Sequence, residues 1–411
     1  MPWGFQMLKK IHKSELRLGM YIHDLECPWM HHSFIRKSFM LRKEADLARI
    51  LADGLSEVCI DTLKGLDVAA PAEERISGAA QDPVAADRQA GAAPRASHLE
   101  ELPLALQIRN EASEVIHSLL MDVRMGRQIL VERLHPMVAR ITESILRNPG
   151  TLVSLCRIRE ADRFTFRHSL SSCALMIMFG HHLRLDPAIL HEAGVGGMLH
   201  DIGKMRVPDH ILNKPGKLTD AEFAVMQDHV RLGLETLRQT PGVSPSVMQV
   251  AAEHHERCNG SGYPGRLKGS ELSLLGRMAS IVDVYDAITS IRIYHTGIEP
   301  ASALQHLYEW SPGEFDEELV QRFIQAIGIY PVGSLVRLES NRLAVVMEQS
   351  QDGLLHPRVR VVYDIGQCRP LAPFDLDLAP ADGGGDAILS HEEPRAWNLD
   401  PAPFLALELP G

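Results

Sequence analysis

Apolar residues recur at helical spacing through the middle of this chain. Residues 103–123 and 126–147 carry them three and four positions apart, which predicts amphipathic helices. Asn148-Pro149-Gly150 then supplies a helix-breaking turn. Residues 190–199 are apolar enough for a buried helix. We therefore predict a helical region over residues 103–330.

Two helix starts are marked by capping residues. Asp186 precedes Pro187, and proline is common in the first turn after such a cap. Thr219, followed three residues later by Glu222, forms a second cap signature. We expect the helix that begins there to carry His229.

The N-terminal part of the chain has a different character. Residues 1–68 predict a small α+β domain, with a strand near Tyr21, helical spacing at 44–51 and a closing strand at 57–61. Residues 69–102 are rich in alanine, proline, glycine and charge, which predicts a flexible linker.

Strand patterns return after the helical region. Residues 334–338 and 343–347 predict paired strands, and residues 358–363 predict a third. Beyond Ala379 we expect a loosely ordered tail. The fold class is therefore mainly α, with an all-helical domain between the small N-terminal domain and a β-rich C-terminal extension over residues 331–411.

Charge and composition exclude several classes of protein. The formal net charge is −11 at pH 7, whereas general binders of nucleic acid or anionic membranes need a net basic surface. No run of about 18 apolar residues occurs, so no membrane span is expected. The six cysteines form no Cys-x-x-Cys pair, and the N-terminus lacks the apolar core of a signal peptide. We expect a cytoplasmic protein.

The chain has 20 histidines, and several of them stand with aspartates at helix-sized intervals. Ionisable side chains inside apolar helices are costly to bury unless they are paired or bind a metal. Mixed imidazole and carboxylate ligands suit iron, manganese, zinc or nickel better than calcium or magnesium. Asp201 is the natural bridging ligand, because a carboxylate can bind two cations and an imidazole cannot. The candidate ligands are His168, His200, Asp201, His229, His254, His255 and Asp283.

These candidates belong to an ordered set of motifs. The motifs are Arg167-His168-Ser169, His200-Asp201-Ile202-Gly203-Lys204, Leu212-Asn213-Lys214-Pro215-Gly216-Lys217-Leu218-Thr219, His254-His255-Glu256, Gly260-Ser261-Gly262-Tyr263-Pro264 and Asp283-Val284-Tyr285-Asp286-Ala287. Over about residues 150–330 the set resembles HD-GYP domain phosphodiesterases, which hydrolyse the bacterial messenger cyclic di-GMP. The region from Leu18 to Thr62 is similar to a small domain of unknown function that often precedes such modules.

The resemblance implies a binuclear metal centre. It assigns the first ion to His168, His200, Asp201 and Asp283, and the second to Asp201, His229, His254 and His255. Two divalent transition metals are expected, iron or manganese foremost, with zinc, nickel or cobalt also suitable. Some family members hold a third ion through a glutamate that is Phe164 here, which favours a two-metal site.

The same resemblance assigns residues to the substrate. Lys204 would lie beside the scissile phosphate and act with Asp201 in catalysis. Arg292 matches an arginine that contacts substrate phosphate, although Ile291 and Ile293 replace the aspartate and proline that usually flank it. Tyr263, in the Gly-Tyr-Pro loop, is a candidate contact for substrate and for the GGDEF domains of diguanylate cyclases.

The expected reaction is hydrolysis of cyclic di-GMP to pGpG and then to GMP by metal-activated water. Another cyclic or linear dinucleotide is an alternative substrate, because no guanine-reading residue is identifiable. A non-catalytic cyclic di-GMP sensor or scaffold is the other alternative, supported by the altered segment 291–295. The sequence does not define the oligomeric state.

Overall fold

The computed structural model describes residues 8–24, 39–52, 57–61, 66, 95–157, 164–292, 295–350, 354–379 and 385–406. The chain divides into two compact units, residues 1–91 with 351–355 and residues 92–350 with 356–411. Each unit contains a hydrophobic cluster of its own. None of the helices in these ranges is long and apolar enough to span a bilayer.

The described part of the first unit contains a four-stranded antiparallel sheet. Its strands are β1 (Leu8–His12), β2 (Tyr21–Asp24), β3 (Phe39–Met40) and β4 (Glu57–Asp61), in the order β1-β4-β2-β3. Helix α1 (Glu44–Ala52) brings Ile50 into the same apolar cluster as Ile22 and Ile60. The predicted α+β character of the N-terminal region is confirmed.

Helices form the greater part of the second unit, as predicted. They are α2 (His98–Arg124), α3 (His135–Arg147), α4 (Pro149–Arg157), α5 (Phe164–His182), α6 (Pro187–Leu199), α7 (Asp209–Leu212), α8 (Asp220–Gln227), α9 (His229–Arg238), α10 (Pro245–Glu253), α11 (Leu274–Thr289), α12 (Pro300–Glu314) and α13 (Glu317–Ile327). Between α11 and α12, strand β5 (Ile291–Arg292) pairs with β6 (His295–Thr296).

Helix α2 begins within the segment that we predicted as a linker. Ser97 caps it through a capping box with Glu100, whose carboxylate accepts a hydrogen bond from Ser97 N at 2.7 Å. Residues 98–102 are therefore helical, which corrects the end of the predicted linker. Residues 67–94 of that linker lie outside the described residues.

The two predicted caps are present, and one helix differs from its prediction. Asp186 accepts a hydrogen bond from Ala188 N at 2.9 Å, and Thr219 caps α8. However, α8 ends at Gln227, and His229 is the first residue of α9. His229 Nδ1 lies 2.7 Å from Met226 O, so the side chain satisfies a carbonyl that a continuous helix would bond to its next turn.

Helices α5 and α6 lie unusually close together. A Cβ atom at Gly197 of α6 would lie 2.8 Å from Ser172 O of α5, so only glycine permits this approach. The two helices are largely buried along their shared length. Their contact fixes the distance between the residues that follow α6 and those that begin α5.

The C-terminal region forms a five-stranded antiparallel sheet. Its strands are β7 (Leu335–Leu338), β8 (Arg342–Glu348), β9 (Arg358–Asp364), β10 (Arg369–Asp377) and β11 (Ile388–Glu392), in the order β10-β9-β8-β7-β11. The three predicted strands are confirmed. The loosely ordered tail predicted beyond Ala379 is wrong for residues 385–406, which contain β11 and helix α14 (Ala402–Leu405).

Candidate metal centre

The seven candidate ligands come from five helices and the turns that follow them. Six are at most 7% exposed, and the side chain of His255 is 16% exposed. His168 lies in the first turns of α5, His200 and Asp201 follow α6, His229 begins α9, His254 and His255 follow α10, and Asp283 lies within α11. Residues far apart in sequence thus share one buried site.

Their donor atoms form two clusters, each within 4.8 Å. One comprises His168, His200 and Asp283, and the other comprises Asp201, His229, His254 and His255. Asp201 faces both of them. Its Oδ2 lies 3.2 Å from His168 Nε2, and its Oδ1 lies 3.2 Å from His229 Nε2. This is the geometry of a carboxylate that can bridge two ions.

The histidines share a common orientation. Three of them place Nδ1 against the backbone carbonyl three residues earlier, at 2.8 Å for His200, 2.7 Å for His229 and 3.0 Å for His254. Because Nδ1–H donates outward, the lone pair of Nε2 points into the site. The Nε2 atoms of His168 and His200 are 3.1 Å apart. Such convergence suits adjacent ligands of one metal ion.

A cation fits this donor set. Asp201 Oδ1 is buried and accepts no hydrogen bond from the described residues. A buried oxygen without a donor is costly, and a bound cation would satisfy it. The mixture of imidazole nitrogen and carboxylate oxygen matches first-row divalent transition metals. The residues present therefore suit the expected pair of ions.

The protonation states of the site reflect its burial and its charges. Burial disfavours the charged form of His168, but three surrounding aspartates outweigh it and hold the pKa of this imidazole well above its ordinary value. Burial also opposes ionisation of Asp201 and Asp283. Lys204 and neighbouring histidines nevertheless hold the pKa of Asp201 well below the ordinary range, and histidines alone do so for Asp283. A proton on His168 thus offsets part of a negative charge that a cation would neutralise.

Asp286 is a residue of the site to which the sequence analysis gave no role. Its Oδ2 lies 2.7 Å from His168 Nδ1, and its other oxygen accepts a hydrogen bond from Ser171. Ser290, which precedes β5, donates to Oδ2 at 3.3 Å. A carboxylate behind a ligating imidazole fixes its orientation and raises its basicity. The signal was present in the sequence, since Asp286 follows Asp283 by three residues on one helix face.

Glu256 is the second residue that lacked a role, and it anchors the Gly-Tyr-Pro loop. Its side chain is buried and accepts hydrogen bonds from Gly265 N at 2.5 Å and Leu267 N at 3.0 Å. A Cβ at Gly262 would lie 2.5 Å from Glu256 Cα, so glycine is required where the loop crosses this residue. The loop is therefore held beside His255.

The structure describes the side chains of two of the three predicted substrate residues, Lys204 and Tyr263. Lys204 Nζ contacts Asp201 Oδ2 directly. The Tyr263 ring packs against that of His255 at a centroid distance of 4.7 Å, and burial raises the pKa of its hydroxyl. The backbone of Arg292 belongs to β5, but its side chain lies outside the described residues. The side chain of Phe164 also lies outside them, so the two-metal count stays a prediction.

Two family models match successive parts of this chain. Residues 8–134 match the family model of a domain of unknown function, DUF3391, and residues 153–319 match that of the HD domain. The cyclic di-GMP phosphodiesterase PA4108 of Pseudomonas aeruginosa is 43% identical over 395 residues, which cover 96% of this chain and 94% of that protein.

Two relatives from Vibrio cholerae match a shorter part. A cyclic di-GMP phosphodiesterase is 38% identical over 146 residues, 34% of this chain and 30% of that protein. The 3'3'-cGAMP-specific phosphodiesterase 2 is 39% identical over 128 residues, 31% of this chain and 24% of that protein. The match to the Pseudomonas protein extends over nearly the full length of both chains. This chain therefore belongs to the HD-GYP family of HD-domain phosphodiesterases.

Proposed function

We propose that this protein hydrolyses cyclic di-GMP to pGpG, and pGpG onward to GMP, at a binuclear metal centre. The observation that carries the proposal is Asp201, whose two oxygens face two separate clusters of ligating side chains. Relatives named as cyclic di-GMP phosphodiesterases support the choice of substrate. His168, His200 and Asp283 would hold one iron or manganese ion, and His229, His254 and His255 the other.

Two bound ions would lower the pKa of a shared water towards neutrality and offset the charge of the phosphate. The protein's own residues prepare this chemistry. Asp286 orients His168, and backbone carbonyls orient the imidazoles of His200, His229 and His254. Because these partners are fixed before substrate arrives, little reorganisation is needed during reaction.

Lys204 is the side chain best placed to assist bond cleavage. Its Nζ contacts Asp201, and its side chain is 20% exposed whereas Asp201 is buried. Lys204 is thus accessible from solvent where Asp201 is not, which supports a contact with an incoming phosphodiester. From there Nζ can donate to a non-bridging phosphate oxygen or protonate the leaving ribose oxygen.

Tyr263 would bound the site beside His255. Because burial raises the pKa of its hydroxyl, it remains protonated and can donate a hydrogen bond. We retain two further assignments as proposals: Arg292 as a phosphate contact and the Gly-Tyr-Pro loop as a surface for GGDEF domains. Pull-down of a diguanylate cyclase by the parent, and not by Tyr263→Ala, would support the second.

Hydrolysis of 3'3'-cGAMP is the second candidate activity. It is favoured by the similarity of residues in this chain to a relative named as specific for that nucleotide. Both substrates present the same two phosphodiesters, so the metal centre alone does not select between them. A panel containing both nucleotides and pGpG separates the candidates.

The direct test is product analysis. Purified full-length protein loaded with Mn²⁺ or Fe²⁺ is incubated with cyclic di-GMP, and the products are resolved by chromatography beside His200→Ala. We expect pGpG and GMP from the parent and none from the variant. Tight binding of cyclic di-GMP without turnover by the parent would favour the sensor alternative instead.

A further inference from the structure

A groove of about 880 Å³ lies beside the Gly-Tyr-Pro loop. Residues of α8 and α9 form one wall, and the loop 260–266 forms the other. Two lining residues are neighbours of candidate ligands. Asp228 precedes His229, and the Tyr263 ring packs against His255. Through these two residues the groove borders the second ligand cluster.

The groove carries positive charge in an acidic protein. Three arginines line it, Arg231, Arg238 and Arg266. Arg231 is already paired, because its Nε donates to Asp228 Oδ1 at 2.7 Å and its Nη1 contacts Glu235. Among the described residues, no carboxylate forms an ion pair with Arg238 or Arg266. Two guanidinium groups are thus available to an anion.

The backbone at Arg266 provides an independent observation. Its φ is 53°, in the left-handed region that glycine adopts freely and side chains with a Cβ adopt at a cost. The residue lies at the rim of the groove and is exposed, so packing does not account for an arginine there. Arg184 has a similar φ of 57° but does not line the groove, so what distinguishes Arg266 is its place beside Tyr263.

We propose that Arg266 and Arg238 bind the half of a cyclic dinucleotide that lies away from the scissile phosphate. The inference rests on the proposed function. With one phosphodiester at the metal centre, the second negative charge and a purine must lie outside it. Guanidinium groups pair with phosphate and stack on planar bases, and Tyr263 adds an aromatic wall.

The chain offers a matched pair of variants for the test. Arg266→Gly removes the guanidinium and also relieves the backbone strain, so the variant is expected to fold. Arg184→Gly makes the same change at an exposed residue with φ of 57°. Arg184 follows the end of α5, whereas His168 lies in the first turns of that helix. It does not line the groove.

The measurement is kcat/KM for cyclic di-GMP relative to kcat/KM for bis(p-nitrophenyl) phosphate, which has no second phosphate. We expect R266G to lower this ratio about fivefold or more, through KM, as an exposed charge-assisted contact is lost. R238Q should change it in the same direction, and added salt should narrow the difference. R184G should leave the ratio unchanged. Equal ratios for R266G and R184G would overturn the inference.

Calorimetric binding of cyclic di-GMP keeps this question separate from the proposed function. Binding by the parent without turnover rejects the proposed function, while a loss of affinity confined to R266G and R238Q still supports the groove. Turnover by the parent together with equal affinity of R266G and R184G rejects the groove alone.

Discussion

Replacing Asp286 by asparagine tests whether a carboxylate orients His168. Asp286 Oδ2 lies 2.7 Å from His168 Nδ1, and both side chains are at most 3% exposed. Asparagine has nearly the same shape without the charge, so D286N keeps the packing and weakens this hydrogen bond. Hydrogen bonds to charged groups contribute about 1.5–3 kcal/mol. Losing such a partner typically lowers metal affinity by about 10–100-fold.

The assay is metal affinity of the full chain, measured by competition with a chromophoric chelator. Asp186→Asn is the control, because it makes the same change at the cap of α6, where asparagine caps as well as aspartate. We expect one of two ions to bind D286N about 10–100-fold more weakly, while D186N matches the parent. If D286N bound two ions with parental affinity, the orienting role of Asp286 would be excluded.

Three further predictions concern stability. A Cβ at Gly203 would lie 1.9 Å from His229 O, so Gly203→Ala must displace the start of α9. We expect this substitution to destabilise the fold by about 1–3 kcal/mol. Elemental analysis should show the loss of one ion. Gly233→Ala is the control, because its Cβ would meet no atom closer than 3.3 Å, and it should keep both ions. Loss of an ion from this variant as well would contradict a specific clash at Gly203. Removing metal with a chelator should lower the thermal midpoint of unfolding reversibly by about 10 °C, because ions at 1,000 times their Kd contribute about 4 kcal/mol to the stability of the fold. An unchanged midpoint would contradict the binding of metal ions by these buried side chains. Burial lowers the pKa of His98 in the folded protein. Below pH 6.5 the unfolded chain therefore binds more protons than the folded one, so stability falls as the pH falls from 6.5 towards the pKa of His98 in the folded state. His98→Gln should therefore lose less thermal stability than the parent between pH 7.5 and 5.5, and parallel curves would contradict this assignment.

The ligand candidates were accessible from sequence because of their chemistry. Histidines and aspartates within apolar helical segments need partners. Their order along the chain indicates that these residues are partners of one another at a single site. The structure brings all seven together, with Asp201 between the clusters. The helix caps at Asp186 and Thr219 could also be predicted from the sequence, because a cap depends on neighbouring residues alone.

Features that depend on tertiary contact were not accessible. The break between α8 and α9 has no glycine or proline to mark it, and the contact of His229 Nδ1 with Met226 O becomes visible only in the structure. Strand β11 lies at a sheet edge and is mostly half-exposed, so it shows no apolar alternation. Glu256 belongs to the motif His254-His255-Glu256, but only its contact with the loop at Gly265 shows its role.

The proposed function depends on Asp201 binding one ion through each of its two carboxylate oxygens. Anomalous diffraction from crystals of the metal-loaded protein, collected at the absorption edge of the bound metal, tests it most directly. We predict two peaks about 3.5–4 Å apart, each bonded to a different oxygen of Asp201. A single peak, or two peaks of which only one is bonded to Asp201, would rule out a bridging role for Asp201.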